Sequence, residues 1–305
     1  MIPYMPVITL TSCPVCGNSE LEKSFDAVDY FATKETFSVY HCNACGFRFT
    51  NNFPPEESIG RYYDSPDYIS HSDSDKGVVN RLYHYFRKYM LKKKVDLIAA
   101  HTENKSGRLL DIGCGTGYFL QAAKERGWYV QGIEKNATAR ESAVARTSAV
   151  IEDENGLWNL KEGTFEVVTL WHVLEHIEKL NQTLEKLQNI LKPDGIAVIA
   201  LPNYQSYDAQ FYKAFWAAYD VPRHLWHFSS QVVEKLLKNH GLKIIETRPM
   251  PLDAFYISML SEKYKESSAL LQYGRAFLVG LTGYSRSLRN MERSSSLIYI
   301  VKKII

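Results

Sequence analysis

The sequence predicts an α/β fold, a doubly wound and mostly parallel sheet with helices on both faces, preceded by a small cysteine-bearing segment. Three observations carry this. From residue 108 onward, short apolar runs alternate with stretches of helical periodicity; a glycine-rich turn, "DIGCGTG" (111–117), joins the first such run to the first such stretch; and four of the five cysteines lie in the first 45 residues. Alternating strand and helix signals of this kind mean parallel strands joined by crossover helices. Taken in order, "VVNRLYHYFRKYMLKKKVDLIAA" (78–100) has helical spacing and no breaker, so it reads as a helix before the sheet. Strands are then expected at 108–112, 129–134, 165–171 and 196–201, with helices at 117–126, after a capping box from Thr138 to Glu141, and at 180–191.

At 305 residues with 45% hydrophobic and 23% charged side chains, the chain can bury one large core and carry a small appendage. Its apolar runs are too short to cross a bilayer. "MIPYMPVITLTSCP" has neither a basic leader nor a small-residue cleavage pattern, so a soluble, cytoplasmic protein is expected. A net charge of +2 gives no global field that would mark a nucleic-acid binder. Nothing bears on oligomeric state.

The cysteines form two knuckles, "CPVCG" and "CNACG", with Cys13, Cys16, Cys42 and Cys45 as the sulfur donors and 25 residues between Cys16 and Cys42. Two such turns bring four thiolates into a tetrahedron, the geometry Zn2+ accepts, and the pattern resembles a zinc ribbon. Structural Zn2+ is therefore expected, although iron would use the same ligands and disulfides suit these residues only in an oxidising compartment. Four protein ligands leave no open position, so the metal's expected role is to hold structure. The polar, proline-bearing "NNFPPEES" places the end of this segment near residue 56, which gives residues 1–56 as one unit and 57–305 as the other.

Two ligand classes compete for the glycine turn, which sits where a doubly wound sheet binds nucleotides. A dinucleotide fingerprint needs Gly or Ala at position 118, where this chain has Tyr118. The spacing Gly113, Gly115, Gly117 within "LLDIGCGTG" resembles motif I of the class I S-adenosylmethionine (SAM) dependent methyltransferases, of the Methyltransf_23 kind. The resemblance extends through "FEVVTLWHVLEHI", "LKPDGIAVIALPN" and "DVPRHLWHFSSQVVEKLLKNHGLKIIE", segments similar to those of relatives that methylate quinone precursors and sugars. It implies a seven-stranded Rossmann-like sheet whose last strand, "SSLIYIVKK" (295–303), runs antiparallel. It also implies SAM as cofactor, held by Asp111, Gly113, Cys114, Gly115 and Gly117 at the turn. Glu134 would accept both ribose hydroxyls, and Asp153, in preference to Glu154, would lie near the adenine; Trp171 reads as an adenine wall or as core, and His172, with Glu175 and His176, as lining the cofactor or stabilising the loop.

For the chemistry, a sulfonium methyl needs an aligned acceptor and a place for that acceptor's proton. His224 or His227, in "PRHLWHF" beyond the fifth strand, is the candidate base, with Arg223 as a clamp for an acidic substrate. Tyr62 and Tyr63, in "RYYDSPDY", resemble the lid segment ahead of such a core, within a lid and helix region spanning 57–100. The cations Arg81, Arg87, Lys88, Lys92, Lys93 and Lys94 read as a solvated helix face, with phosphate or anionic lipid as the alternative. Residues 255–290 stand where a tight hairpin is expected, so they read as a helical cap over the acceptor pocket. Arg275 interrupts their apolar run, which suits contact with a membrane surface or a partner as well.

The expected function is methyl transfer to a small-molecule acceptor such as a sugar, lipid-linked compound or secondary metabolite. Residues 1–56 carry three cations against six carboxylates, which disfavours the alternative of an RNA methyltransferase gripping phosphates with its ribbon. A non-catalytic SAM-binding scaffold is the third reading, and the intact glycine turn with Glu134 speaks against it.

Overall fold

The computed structural model describes residues 6–63, 78–103, 105–265 and 269–304, with only the backbone described for 78–86 and 269–270. Its central feature is a seven-stranded sheet. In chain order its strands are β4 (Arg108–Ile112), β5 (Tyr129–Ile133), β6 (Val150–Glu152), β7 (Phe165–Trp171), β8 (Leu191–Pro202), β10 (Leu242–Pro249) and β11 (Ser296–Lys303), in the spatial order β10-β11-β8-β7-β4-β5-β6. The five strands β4 to β8 pair in parallel, while β11 lies antiparallel between β8 and β10. The near-continuous apolar runs explain this placement: "LLDI", "FEVVTL" and "IAVIAL" are buried on both faces, as parallel strands under two helical layers must be.

Helices α1 (Val78–His101), α2 (Tyr118–Lys124), α3 (Ala137–Thr147), α4 (Gly156–Asn159), α5 (Leu180–Ile190), α6 (Tyr207–Tyr212) and α7 (Ser230–Asn239) cover the faces. Helix α7 shows why: Val232, Val233, Leu236 and Leu237 fall at spacings of three and four and are all buried. The expected capping box is not the start of α3. Asn136, two residues earlier, accepts the Ala139 N–H at 2.9 Å, so the helix begins at Ala137.

The N-terminal segment makes an antiparallel sheet from β1 (Leu21–Val28), β2 (Thr36–Cys42) and β3 (Arg48–Asn51). Its fourth strand, β9 (Trp226–His227), comes from the far end of the chain: Arg48 pairs with His227 and Phe49 with Trp226. Cys13, Val15, Cys42, Phe47, Phe49 and Phe53 belong to the same apolar cluster as Leu110, Leu170 and Leu201 of the large sheet. Side-chain amides fasten the first knuckle to the helical layer, since Asn181 donates to the Pro14 carbonyl (3.0 Å) and Asn239 to that of Val15 (2.7 Å). The two sheets thus share one core.

Between β10 and β11, helices α8 (Asp253–Tyr264) and α9 (Ala269–Arg289) pack on each other, with Gly280 beneath Phe255 where no Cβ would fit. Leu271, Tyr273, Phe277, Leu278, Leu281 and Leu288 of α9 are exposed. Among the described residues, no helix is long and apolar enough to cross a membrane.

Candidate active site

The glycine turn leaves the C-terminal end of β4 and needs left-handed backbone at every alternate residue. Gly113, Gly115 and Gly117 have φ of 71, 53 and 81 degrees, a region open to glycine at little cost. What surrounds each one differs. A Cβ on Gly113 would stand 2.4 Å from Val173, and one on Gly117 2.9 Å from the Cα of Ala143, but one on Gly115 would meet nothing within 4 Å. Two of the glycines therefore let the turn press against its neighbours, and the third faces open space.

Around that space the polar groups converge. The Gly115 N–H donates to Glu134 Oε2 (2.8 Å) and the Asn136 N–H to Glu134 Oε1 (2.8 Å), which fixes the carboxylate at the end of β5. Asp111 is buried and accepts from the Thr169 hydroxyl at 2.6 Å. Burial pushes its pKa up to about 7 against the opposing pull of Thr169 and Lys94. Lys94, the exception in the basic run, turns inward from α1 and lies 4.1 Å from the Trp171 ring centroid; burial brings its pKa down to about 8. Lys88, Lys92 and Lys93 are exposed, Arg87 stacks on Tyr118 at 3.8 Å, and the Arg81 side chain lies outside the described residues. Trp171 packs edge-on against Phe119, and its buried Nε1 has no hydrogen-bond acceptor. Cys114 is buried beneath the turn and touches the space Gly132 leaves. Asp153 sits at the start of α4, where its carboxylate accepts from the Asn155 N–H (3.0 Å).

The loop after β7 packs beside the turn, with Val173 against Gly113. His172 holds a φ of 58 degrees, unusual for a side-chain-bearing residue, and stands 3.5 Å from both Glu175 and Asp253. Burial alone would lower its pKa, but those two carboxylates raise it to about 9. Glu175 is wholly buried, and neither of its carboxylate oxygens has a hydrogen-bond partner. Beside it, His176 and His224 meet edge to face with ring centroids 4.5 Å apart. His176 Nδ1 is 3.0 Å from the Arg223 carbonyl and 3.1 Å from the Tyr63 hydroxyl, and His224 Nδ1 is 2.8 Å from the Ala218 carbonyl. Burial and the neighbouring His224 lower the His176 pKa to about 4, so it is neutral at pH 7.

The structure separates the other expected site residues from the corner where Glu175, His176 and His224 meet. His227 is buried in the small sheet, with Nε2 3.1 Å from the Thr50 hydroxyl and its ring edge-on to Tyr219. Arg223 is also buried and fully engaged: it donates to Asp29 (3.1 Å), Asp220 (2.5 Å) and the Tyr62 carbonyl (2.6 Å), leaving no fork for a substrate. Tyr62 lies in the core with its hydroxyl donated to Glu35 (2.6 Å), so only Tyr63 of the pair reaches His176. The rest of the "RYYDSPDY" stretch, from residue 64, lies outside the described residues. Lys94 and Asp253 were not singled out by sequence. One was hidden in a run of cations, and the other opens a helix far along the chain.

The four cysteine sulfurs lie within 4.8 Å of one another, with Cys13 and Cys45 3.6 Å apart and Cys16 and Cys42 3.5 Å apart. A tetrahedron of Zn–S bonds of about 2.3 Å has edges of roughly 3.8 Å, whereas a disulfide needs about 2.05 Å, so the donor set fits a metal. Gly17 and Gly46, at φ of 74 and 73 degrees, return each knuckle's N–H to the carbonyl of Cys13 and Cys42.

Comparison with known proteins agrees with the fold. The Methyltransf_23 family, described as a methyltransferase domain, matches residues 83–247. A ubiquinone biosynthesis O-methyltransferase of Neisseria meningitidis is 27% identical over 172 residues, which cover 52% of this chain and 72% of that protein. Magnesium protoporphyrin IX methyltransferase from Synechocystis PCC 6803, solved with S-adenosylhomocysteine (SAH) bound, superposes with a TM-score of 0.53 at 13% identity, covering 81% of this chain and 100% of that one. Phosphoethanolamine N-methyltransferase 2 of Haemonchus contortus, solved with SAM, gives a TM-score of 0.52 at 16% identity over 90% of this chain and 71% of that one. At such identities the two solved structures speak to the fold alone. The family match, which spans more than half of the chain, decides the rest: this chain belongs to the Methyltransf_23 methyltransferase family and is a SAM-dependent methyltransferase.

Proposed function

We propose that this methyltransferase acts on a hydroxyl of a small-molecule acceptor, a quinone precursor or a sugar, bound against the Glu175, His176 and His224 corner. The observation that carries the reading is the position of that corner. Val173 packs onto Gly113, so the loop bearing Glu175 and His176 lies directly beside the turn. An acceptor hydroxyl there presents its proton to an electron-rich wall in line with the cleft. The likeness to an enzyme named for ubiquinone biosynthesis supports an oxygen acceptor.

Bound SAM supplies the electrophilic methyl. Glu134 is the acceptor for the ribose hydroxyls, since its carboxylate is already fixed by two backbone N–H groups and retains free lone pairs. Asp111, Gly113, Gly115, Gly117 and Lys94 surround the amino acid end, with Lys94 as the cation for its carboxylate. Trp171 and His172 bound the inner end of the cleft, Asp153 lies near the adenine edge, and Cys114 supports the turn from below. Tyr63 and the first turn of α8, through Asp253, close the acceptor side, and α8 with α9 serves as the cap.

Zn2+ in the four-cysteine site gives the ribbon its rigidity. The ribbon in turn holds Leu225, whose N–H donates to the Glu175 carbonyl (2.8 Å) while its own carbonyl accepts from Thr50 (2.9 Å). The metal thus acts on the acceptor corner at one remove. The test offers radiolabelled SAM with catechol-type quinone precursors, nucleotide-linked sugars and RNA. Label is expected in the small hydroxyl compounds; label confined to RNA overturns the proposal.

A further inference from the structure

We propose that Glu175, His176 and His224 form a binding site for one divalent transition-metal ion, distinct from the four-cysteine site and placed to hold the acceptor oxygen. The inference rests on the reading of this corner as the acceptor end of the cleft. One donor atom from each of the three residues lies within 4.8 Å of the others. Donors around a metal at about 2.0 to 2.2 Å stand roughly 3 to 4 Å apart, so side-chain rotations of under about an ångström each would close the set.

Three features favour an ion over a plain polar cluster. First, each imidazole has its Nδ1 on a backbone carbonyl, His176 on Arg223 and His224 on Ala218. A carbonyl can only accept, so the proton sits on Nδ1 and the lone pair is on Nε2, which is the outer-shell arrangement that orients metal-binding histidines. Second, Glu175 is wholly buried with two unpartnered oxygens, a costly state for a carboxylate unless something else binds there. Its nearest cation is His172 at 3.5 Å, which keeps Asp253 at the same distance when the ion takes over Glu175. Third, Asp220, although paired with Arg223, stands 3.9 Å from His224 Nε2 and brings a further carboxylate oxygen close to the set.

Two imidazoles and one carboxylate suit Zn2+, Mn2+, Fe2+ or Co2+ better than Mg2+ or Ca2+, which prefer all-oxygen shells. Three protein ligands also leave a position open, in contrast with the closed sulfur site. An ion there lowers the pKa of an adjacent hydroxyl. The acceptor's proton then passes to water, its oxygen pair forms the bond to the methyl carbon, and the carbon–sulfur bonding pair returns to sulfur.

The experiment uses the full-length chain. After purification, Zn2+ or Co2+ is titrated in and bound metal is counted. The expected result is a second equivalent beyond the thiolate-bound one, with Co2+ in the second site showing weak bands of nitrogen and oxygen ligation in place of intense thiolate charge transfer. His224→Ala and the nearly isosteric Glu175→Gln are each expected to weaken that second equivalent by roughly a hundredfold or more, beyond what an outer-shell change costs. Both should retain the thiolate-bound metal and the SAH affinity of the parent, which shows that they fold. Saturation of the parent at one equivalent, or unchanged binding of the second by both variants, overturns the site. Methyl transfer to the small hydroxyl compounds, measured on the same samples, tests the acceptor reading separately: metal bound without any transfer there counts against the reading, not the site.

Discussion

Gly115→Ala and Gly117→Ala, only two residues apart, should fail in different ways. Both positions hold positive φ, at 53 and 81 degrees, so a methyl group costs about 1 to 2 kcal/mol of backbone strain at either one. At Gly117 the new Cβ would also lie 2.9 Å from the Ala143 Cα and 3.0 Å from its Cβ, inside the usual carbon–carbon contact of about 3.5 to 4.0 Å. Because the obstacle is helix backbone, α3 must shift, adding about 1 to 3 kcal/mol, for a total of about 2 to 5 kcal/mol. At Gly115 nothing stands within 4 Å, so only the strain applies and the methyl projects into the space assigned to the cofactor. Urea unfolding should therefore show Gly117→Ala as the much less stable protein. Calorimetry with SAH should show Gly115→Ala, still folded, binding at least about tenfold more weakly, the equivalent of 1.4 kcal/mol. Equal stability losses, or SAH binding by Gly115→Ala at the parental affinity, would refute the reasoning.

Glu134→Gln should weaken SAH binding by about 1 to 3 kcal/mol, because the ribose hydroxyls lose a charged acceptor; isothermal calorimetry reads this directly, and an unchanged affinity counts against the assignment. Arg223→Ala should destabilise the fold by about 3 to 5 kcal/mol by leaving Asp29 buried without its cation, measured as a lower urea midpoint; loss of substrate binding alone, at full stability, would restore the clamp role. Stability should also fall between about pH 6.5 and pH 8. The His172 pKa is raised to about 9 when folded, so its contribution is complete below the ordinary value of 6.5 and disappears as pH rises through 9. His172→Gln should remove that slope. Asp111, raised to about 7, gives its own fall lower down, between 3.8 and 7, and Lys94, brought down to about 8 by burial, adds stability above pH 8 that offsets the last part of the His172 loss. Finally, Cys13→Ser should release the metal of the four-cysteine site, checked by elemental analysis, and lower the thermal midpoint of the whole chain, because Cys13 packs in the shared core; a change confined to the metal would contradict that coupling.

The sequence by itself determined whatever local spacing dictates. Strands buried on both faces announce themselves as unbroken apolar runs. Three glycines at alternate positions announce a left-handed turn, and two knuckles announce four thiolates. Local chemistry also decided the ligand class at the turn, since Tyr118 stands where a dinucleotide fold needs a small residue. Only the tertiary structure decided how distant segments divide their residues. "PRHLWHF" looks like a single loop of candidate acids and bases. In the fold, Arg223 is neutralised by Asp29 and Asp220, His224 meets His176 beside Glu175, and Trp226 and His227 leave to complete a sheet begun about two hundred residues earlier. The run of lysines in α1 likewise gives no hint that Lys94 alone turns inward, because a helix's inward face depends on what packs against it. A histidine's chemistry is set by its desolvation and its partners, here a backbone carbonyl, a second imidazole and a buried carboxylate. Those partners come from segments far apart in the chain, and no periodicity within one segment encodes their meeting.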